Sequence, residues 1–265
     1  MGKFTLNGQE ILISPGKTLF QTVLQNKPHA DIILLNGFHV EQDCYIEEHD
    51  TVVAIKSGEV PPKEVFESLL IARHTPDIHR KLKKAIVGIA GLGGLGSTVA
   101  VALARAGIGK LILVDYDIVE PTNLNRQQYF IEHTGKYKTD AVSEIIGKVN
   151  PYTKIISHKE KINEDNISEF FEQGHVIVEA LDKAATKAMF IENILDQLPE
   201  KPIVCGMGMA GYGRNTIISM RQVGNLYICG DGVSEVGLGQ GLMAPRVGIV
   251  ANMQANQVIE LLVEG

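Results

Sequence analysis

The chain has 265 residues, which is enough for one large domain or for a medium domain with a small one attached. Its formal net charge is -6 and its 25 basic residues are scattered, which argues against a broad surface for nucleic acid or anionic membranes. The three cysteines, Cys44, Cys205 and Cys229, exclude a disulfide framework, and because none forms a CxxC pair we expect no structural zinc.

The amino terminus lacks the basic end and the apolar run of a signal peptide, and no later segment stays apolar for about 20 residues. The cysteine usage is typical of reduced thiols. These features predict a soluble, cytoplasmic protein that binds neither membranes nor nucleic acid.

The first predicted elements are short strands around one helix. Residues 3–6 and 10–13 alternate between apolar and polar side chains, and Asn7-Gly8 between them tolerates the positive φ of a tight hairpin turn. A helix with Thr18 as its N-cap follows. Further strands are predicted in DIILLNGFHV, which contains a second Asn-Gly turn, and from Asp50 to Lys56, so the order is ββαββ.

This order and the LNG elements make residues 1–58 resemble a ThiS-type sulfur-carrier domain, which implies a small α+β domain of the ubiquitin-like β-grasp fold. Carriers of that type end in a free Gly-Gly carboxylate, whereas the corresponding tail here reads KSGEVPP and continues into a linker. A carboxyl group that is already in a peptide bond cannot be adenylated. We therefore expect a docking, dimerisation or regulatory module and not a carrier.

Residues 59–81 are predicted to link two domains. Pro61-Pro62 stiffens the connection, and the segment after it has apolar side chains at helical spacing. We predict a single helix that crosses between the domains.

The next segment alternates strand, helix and strand. Strands are predicted at 85–90 and 110–114, with a helix from Ser97 to Ala106 that Gly107 closes. This is the βαβ unit of a parallel sheet, and the sequence GLGGLG lies between its first strand and its helix.

GLGGLG matches the GxGxxG pattern of dinucleotide-binding loops. In this pattern Gly91 allows a sharp turn, Gly93 lets a ligand approach the backbone, and Gly96 lets the helix pack closely on the strand. The acidic residue that such sites place on a ribose hydroxyl, about 20 positions later, is Asp115. An NAD-dependent oxidoreductase therefore stays open at this point.

The segment DYDIVEPTNLNRQQYF concentrates acids, amides and an arginine just after the second strand. Arg126 can form bidentate, charge-assisted contacts with phosphate oxygens, and Asn123 can donate to the same group. This cluster favours a triphosphate. The alternative is a polar loop in which Thr122 or Asn123 is an N-cap.

Four motifs in this order, GLGGLGS, DYDIVEPTNLNRQ, GKYKTDAV and EALDKAATK, resemble the ThiF/MoeB/HesA adenylyltransferases, relatives of ubiquitin-activating enzymes. The resemblance runs from about Leu82 to Leu262 and is strongest to ThiF-like proteins with a fused ThiS-like domain. It implies an α/β, Rossmann-like nucleotide-binding domain with a mainly parallel sheet over residues 82–265.

The resemblance also implies an activity. Such an enzyme uses ATP and Mg²⁺ to convert the Gly-Gly carboxylate of a separate sulfur-carrier protein into an acyl-adenylate, releases pyrophosphate, and is a homodimer. A ThiS-like carrier of thiamine thiazole biosynthesis is expected, while molybdopterin and cysteine biosynthesis use the same chemistry and remain alternatives. An enzyme that modifies tRNA is disfavoured by the acidic net charge. A carrier-binding scaffold without catalysis is a further alternative.

The resemblance assigns the site residues in two overlapping groups. ATP-binding residues are Gly91, Gly93, Gly94, Gly96, Asp115, Asn123, Arg126 and Lys138, and catalytic residues are Arg126, Lys138 and Asp182. Asp182, which follows the strand HVIVEA, is also the expected magnesium ligand. Plainer interpretations are a solvated lysine at Lys138 and, at Asp182, the N-cap of a helix that reaches Leu198.

Three features depart from the family pattern. Many members hold zinc with two CxxC pairs, which this sequence lacks. Some relatives link a cysteine to the carrier, and Cys229 is the candidate, with a buried structural thiol as the alternative, while Cys205 is predicted to be core. The arginine segment ahead of the first strand keeps Arg73 but has Pro76 at its second arginine, with Arg80 nearby.

The last segments combine glycine-rich stretches with a helix. GMGMAGYGRN and GDGVSEVGLGQG contain too many glycines for helix and are predicted to be mobile loops that cover the site or receive the carrier's tail. A core or dimer helix is predicted to begin near Pro245. Its apolar face comprises Val247, Ile249, Val250, Val258, Leu261 and Leu262.

Overall fold

A computed structural model describes residues Gly2 to Gly265. The chain divides into two compact units, the first ending at His79 and the second running from Arg80 to Gly265. Across the part of the chain that the structure describes, no helix combines the length and the apolar character needed to cross a bilayer.

The first unit is a β-grasp domain, as predicted. Its sheet has the order β2-β1-β5-β3-β4, in which β1 runs parallel to β5 and the other pairs are antiparallel. Helix α1 packs on one face of this sheet, around a core that includes Phe4, Leu19 and Val52. The elements are β1 (Lys3–Leu6), β2 (Gln9–Leu12), α1 (Leu19–Asn26), β3 (Ile32–Leu35), β4 (Phe38–His39), β5 (Thr51–Ile55) and α2 (Lys63–His74).

Two Asn-Gly turns define this unit. Asn7 and Gly8 have φ values of 48° and 80° and join β1 to β2, as predicted. Asn36 and Gly37 also have positive φ, and the reversal divides DIILLNGFHV into β3 and β4, so the order is ββαβββ and not ββαββ. The predicted cap is confirmed as well, because Thr18 accepts from the backbone of Gln21 in a capping box.

The segment predicted as one crossing helix forms two. Helix α2 ends at His74, and α3 (Pro76–Lys84) begins after Thr75, whose φ of 72° interrupts the helical path. The ring of Pro76 disfavours helical geometry at the residue before it and is itself suited to a first helical position, so the break lies where the sequence places it.

The second unit contains a seven-stranded sheet of order β11-β12-β10-β9-β6-β7-β8 over the described residues. All neighbours are parallel except β11 and β12, which form an antiparallel edge hairpin. This is the predicted α/β fold with a mainly parallel sheet. Its strands are β6 (Ile86–Ala90), β7 (Lys110–Val114), β8 (Lys154–His158), β9 (Val176–Glu179), β10 (Ile203–Gly206), β11 (Ser219–Val223) and β12 (Leu226–Gly230), and its helices are α4 (Gly94–Ala106), α5 (Lys138–Val149), α6 (Ile167–Phe171), α7 (Ala184–Gln197) and α8 (Ala244–Glu264).

Strand β6 lies inside this sheet, between β9 and β7, and creates a switch point. The chain proceeds from β6 to β7 and β8 on one side, and then crosses to β9 and β10 on the other side. In open parallel sheets ligands bind in the crevice at the carboxyl ends of strands that diverge in this way. The residues that follow β6, β7 and β9 therefore lie where sheets of this kind bind ligands.

Helix α8 is largely a core helix, as predicted. It packs along α4, and Val247, Val250 and Val258 are fully buried. The predicted apolar face is wrong at Ile249, which is 41% exposed.

The glycine-rich segments around residues 207–214 and 230–242 are irregular and are joined to the start of α8. Asp231 forms a buried ion pair with Arg246 at 2.5 Å, and Arg246 also donates to the carbonyl of Gly213. The carboxylate of Asp231 also accepts the backbone N–H groups of Val233 and Ser234. Although burial opposes it, these hydrogen bonds hold the pKa of Asp231 well below its usual range.

Candidate nucleotide site

The residues predicted for the site follow three neighbouring strands. Gly91 follows β6, Asp115 follows β7, and Asp182 lies shortly after β9. Because β7, β6 and β9 are parallel neighbours, their carboxyl ends share one edge of the sheet. The fold therefore brings the three predicted segments to the crevice beside the start of α4.

Two glycines of the loop are required by the protein's own backbone. Gly91 has a φ of 87°, and a Cβ there would lie 2.8 Å from the carbonyl oxygen of Ala180. A Cβ on Gly96 would lie 1.8 Å from the carbonyl oxygen of Gly91. Both contacts are far inside normal packing distances, so the sharp turn and the approach of α4 to it depend on glycine.

The other two glycines of the loop face different surroundings. A Cβ on Gly94 would meet Val247 at 2.8 Å and the carbonyl oxygen of Arg126 at 3.3 Å, so this position is filled by packing. At Gly93 a Cβ would find only the Nε2 atom of Gln127 within 4 Å, apart from its chain neighbours. The space over Gly93 is thus open, as close approach of a ligand would require.

Asp115 fixes the glycine loop from the next strand. Its Oδ2 accepts the N–H of Leu92 at 2.6 Å, and its Oδ1 accepts the N–H of Asp117 at 2.8 Å. The hydroxyl of Tyr129 donates to the carbonyl of Leu92 at 2.7 Å and secures the same loop residue. Burial raises the pKa of Asp115, while Lys138 and the two backbone donors oppose that rise. Each oxygen keeps a lone pair for a further donor such as a ribose hydroxyl.

Lys138 is the first residue of α5 and is only 7% exposed. Its Nζ pairs with the Oδ2 of Asp117 at 2.7 Å. The interpretation of Lys138 as an ordinary solvated lysine is therefore wrong. A buried ammonium beside the glycine loop is a fixed positive charge in a region of reduced solvent screening.

The loop with Asn123 and Arg126 is ordered by its own side chains. Asn123 Oδ1 accepts the N–H of Glu120 at 3.1 Å and closes a short 3-10 turn. The N-cap of this turn is Glu120, so the alternative of an N-cap at Thr122 or Asn123 is wrong. Arg126 Nη1 donates to the carbonyl of Thr122 at 3.2 Å and to Asn125 Oδ1 at 2.8 Å. These contacts use one of the guanidinium nitrogens, and the Nδ2 of Asn123 makes no hydrogen bond to the described residues.

Gln127 lies beside the glycine loop and is not among the residues predicted from the sequence. Its side chain is buried, and its Oε1 has no hydrogen-bond partner in the described chain. Its Nε2 is the atom closest to the open side of Gly93. The only available signal was its position next to Arg126, since spacing alone does not predict which amide of a polar loop is buried.

Asp182 is exposed and forms no hydrogen bond or ion pair with the described residues. The N-cap position of α7 belongs to Lys183, so the interpretation of Asp182 as the N-cap is wrong. The turn before it is held by buried Glu179, whose Oε1 accepts the N–H of Leu181 at 2.8 Å. Glu179 also forms a buried ion pair with Lys187, which donates to the carbonyl of Gly206 at 3.1 Å.

The side chains available as ligands determine which metal ion this site can bind. Among the described residues no group of three or more His, Cys, Asp or Glu side chains can hold an ion by itself. Asp182 instead offers a single unpaired carboxylate beside the glycine loop. Because Mg²⁺ is commonly bound through one or two carboxylates together with substrate phosphates, these residues fit a magnesium ion that arrives with a nucleotide.

Neither Cys229, the candidate for a link to the carrier, nor Cys205 lies in a reactive environment. Cys205 on β10 is core, as predicted, and Cys229 on β12 is fully buried. Burial raises the pKa of both thiols to about 12. Since the thiolate is the nucleophile, the structural interpretation of Cys229 is favoured over the reactive one.

The candidate arginines lie on different helices. Arg73 on α2 lies over the ring of Phe38, with 5.3 Å between its Cζ and the ring centroid, so its guanidinium is engaged within the first unit. Arg80 is exposed on α3.

Comparisons with known proteins agree with this architecture. Residues 67–265 match the model of the ThiF family, and residues 3–58 match a ThiS-like ubiquitin model. The adenylyltransferase and sulfurtransferase MOCS3 of Anopheles gambiae is 34% identical over 271 residues, which cover 99% of this chain and 58% of that protein. The protein of the same name from Drosophila willistoni is 32% identical over 70% of this chain and 42% of its own length. The chain thus spans about half the length of the curated relatives it matches.

Solved structures share the fold at lower identity. The E. coli tRNA N6-threonylcarbamoyladenosine dehydratase TcdA, solved in complex with ATP, superposes with a TM-score of 0.69 at 20% identity. The match covers 78% of this chain and 98% of that one.

Proposed function

The chain belongs to the ThiF family, and from this premise we propose that it is an ATP-dependent adenylyltransferase that activates the carboxyl terminus of a separate ubiquitin-like sulfur carrier. The observation that carries the proposal is the set of groups gathered at the carboxyl ends of β6, β7 and β9. The loop before α4 offers N–H groups, Asp115 offers acceptor capacity, and Lys138 offers a buried charge. A nucleotide with its phosphates at a helix N-terminus is the ligand that such a set fits best.

The reaction needs positioning and charge more than a protein nucleophile. A carboxylate oxygen of the carrier attacks the α-phosphorus of ATP, the bond to the bridging oxygen of the β-phosphate breaks, and pyrophosphate leaves with that electron pair. Two anions must meet, so the site has to neutralise charge and hold the reacting atoms in line. Arg126 and Lys138 supply positive charge, and Asn123 supplies an amide donor.

Magnesium bound by Asp182 and the phosphates would screen the negative charge of the triphosphate. Residues of the chain itself position the loop and the turn that surround the nucleotide. Asp115 holds Leu92 and orients the glycine loop, while the pair of Glu179 and Lys187 holds the turn that precedes Asp182.

We propose a carrier of the ThiS type. On the basis of sequence resemblance, the proposed pathway is the synthesis of the thiazole ring of thiamine. The curated relatives carry the name MOCS3, so carriers of other sulfur-transfer pathways belong in the same test. The proposal also includes a homodimer in the cytoplasm, which rests on family resemblance and on the charge and cysteine usage of the sequence.

A non-catalytic scaffold that binds carriers is the second candidate. It is favoured by the carrier-like first unit, whose tail continues into α2, and by Pro76 in place of the family's second arginine. The glycine motif taken alone is also compatible with an NAD-dependent oxidoreductase. The match to the ThiF family model disfavours that function.

The test is ATP–pyrophosphate exchange with magnesium and separately purified carriers that end in Gly-Gly. We expect exchange that requires a carrier and falls by at least 100-fold in Arg126→Ala and in Asp182→Ala, since charge stabilisation at phosphoryl centres is typically worth that much. Lys159→Ala, which removes an exposed ion pair with Asp140, is the matched control and should exchange normally.

Other outcomes separate the candidates. Carrier binding with no exchange would identify the scaffold. Full exchange in both site variants would contradict the assigned residues while leaving the activity in place.

A further inference from the structure

Gln127 stands out among the polar groups around the glycine loop. Its side chain is 8% exposed, and its Oε1 is buried without a hydrogen-bond partner in the described chain. Its Nε2, the donor of the amide, makes no hydrogen bond to the described residues either. A buried polar group without a partner destabilises a folded protein. Its neighbour Gln128 is exposed, and its amide donates to the hydroxyl of Thr98 at 3.1 Å.

The amide of Gln127 lies next to the open space over Gly93. Its Nε2 lies 3.9 Å from the position that a Cβ on Gly93 would occupy, and nothing else outside the adjacent residues comes within 4 Å. Gly93 has a φ of -72° and no neighbour that demands glycine, unlike Gly91 and Gly96. The open space over Gly93 therefore has an amide donor at its edge and the first turn of α4 below it.

Backbone hydrogen bonds hold the segment that carries Gln127. The N–H of Gln127 donates to the carbonyl of Asn123 at 3.0 Å, and the N–H of Gln128 donates to the Ser97 hydroxyl at 3.2 Å. Ser97 belongs to α4, so the segment with Gln127 is attached to the same helix that carries the glycine loop. Because the side chain on this fixed segment is also buried, its amide loses little conformational entropy when it binds.

We propose that Gln127 is a nucleotide-binding residue whose amide donates to a phosphate oxygen of the bound ATP over Gly93. This inference rests on the proposed function and adds a neutral donor to the charged groups Arg126 and Lys138. The phosphate is the part of the nucleotide that a helix N-terminus holds, and amide donors bind phosphate oxygens directly.

The test compares ATP with adenosine in the full-length chain. Calorimetry gives the dissociation constants for the wild type, Gln127→Leu, Gln127→Glu and the control Gln128→Leu, and thermal unfolding verifies that each variant is folded. Gln127→Leu should weaken ATP binding about tenfold, since a hydrogen bond to a charged group is worth that much. Gln127→Glu, which is nearly isosteric, should weaken it further through repulsion, while adenosine binding stays unchanged.

Each alternative result has a distinct meaning. Wild-type ATP affinity in both Gln127 variants would overturn this inference and leave the adenylyltransferase proposal intact. An equal loss for ATP and adenosine would overturn it too, because Gln127 would then only support the loop. A wild-type chain that binds no ATP would overturn both the inference and the proposed function.

Discussion

At the scale of single residues, the four loop glycines differ in what requires them to be glycine. Close contacts with backbone atoms require glycine at positions 91 and 96, and packing against Val247 requires it at position 94. No contact within the protein requires glycine at position 93. The GxGxxG motif predicts where the loop lies, but it does not predict which of its glycines are required by contacts within the protein. Which glycines are required depends on the approach of Ala180 and Val247, which are distant in sequence.

Alanine substitutions at two glycines of the same motif should therefore differ in whether they change stability or ATP binding. Gly96→Ala forces a methyl group against the Gly91 carbonyl and should lower the free energy of unfolding by about 2 kcal/mol or more. Gly93→Ala should change stability by less than about 1 kcal/mol and yet weaken ATP binding, because the methyl group fills the open space. Urea unfolding and ATP calorimetry on the same samples measure both effects.

Gly147 provides the control for these alanine substitutions. It lies in α5 with nothing within 4 Å of an added Cβ, so Gly147→Ala should stabilise the chain by about 0.5–1 kcal/mol and leave ATP binding unchanged. Stable folding of Gly96→Ala together with normal ATP affinity would contradict the steric argument.

At the scale of elements, local signals predicted most of the fold. The turn at Asn7-Gly8, the cap at Thr18 and the C-cap at Gly107 depend on neighbouring residues and are confirmed. The hairpin of β11 and β12 is not among the predicted elements, because β11 is exposed along its whole length and lacks an apolar pattern. The two buried ion pairs, Glu179 with Lys187 and Asp231 with Arg246, also join segments whose proximity no local pattern reveals.

The pair of Glu179 and Lys187 should behave as a coupled unit. Lys187→Met leaves the fully buried Glu179 carboxylate without its cation and should cost about 3–5 kcal/mol. Adding Glu179→Gln removes that charge and should restore part of the loss. Urea unfolding of both single variants and the double variant measures the coupling, and strictly additive effects would show that the pair is not coupled.

The Asp231 ion pair predicts a pH dependence. Its pKa is lowered in the folded state, so its contribution to stability is present above the unfolded pKa and is lost as pH falls toward the folded pKa. Asp231→Asn should therefore cost about 3 kcal/mol at pH 7 and at pH 5, and about 1 kcal/mol less at pH 3. Urea unfolding at the three pH values measures the difference from the wild type.

Asp140→Asn is the control for this measurement. Asp140 pairs with Lys159 on the surface, where both side chains are 44% exposed, so its removal should cost less than about 1 kcal/mol. A wild-type advantage over Asp231→Asn that stays constant down to pH 3 would contradict the assigned pKa direction.

At the scale of the whole molecule, the two units carry different chemistry. Every residue assigned to the nucleotide site lies in the second unit. In the first unit the residues after β5 fold into a turn, in which the N–H of Glu59 donates to the carbonyl of Lys56 at 2.9 Å and Gly58 has a φ of 79°. Asp31 accepts the N–H of Ser57, and Lys27 pairs with Glu59, so side chains hold this turn closed.

A closed tail that continues into α2 cannot present a carboxylate to the α-phosphorus of ATP. We therefore expect the full-length chain, incubated with ATP, magnesium and a sulfur donor, to form neither an adenylate nor a thiocarboxylate on itself. A separate carrier with a free Gly-Gly end in the same reaction should be modified. Intact-mass spectrometry distinguishes the two proteins directly, and a covalent adenylate on residues 2–79 would show that the first unit is a substrate after all.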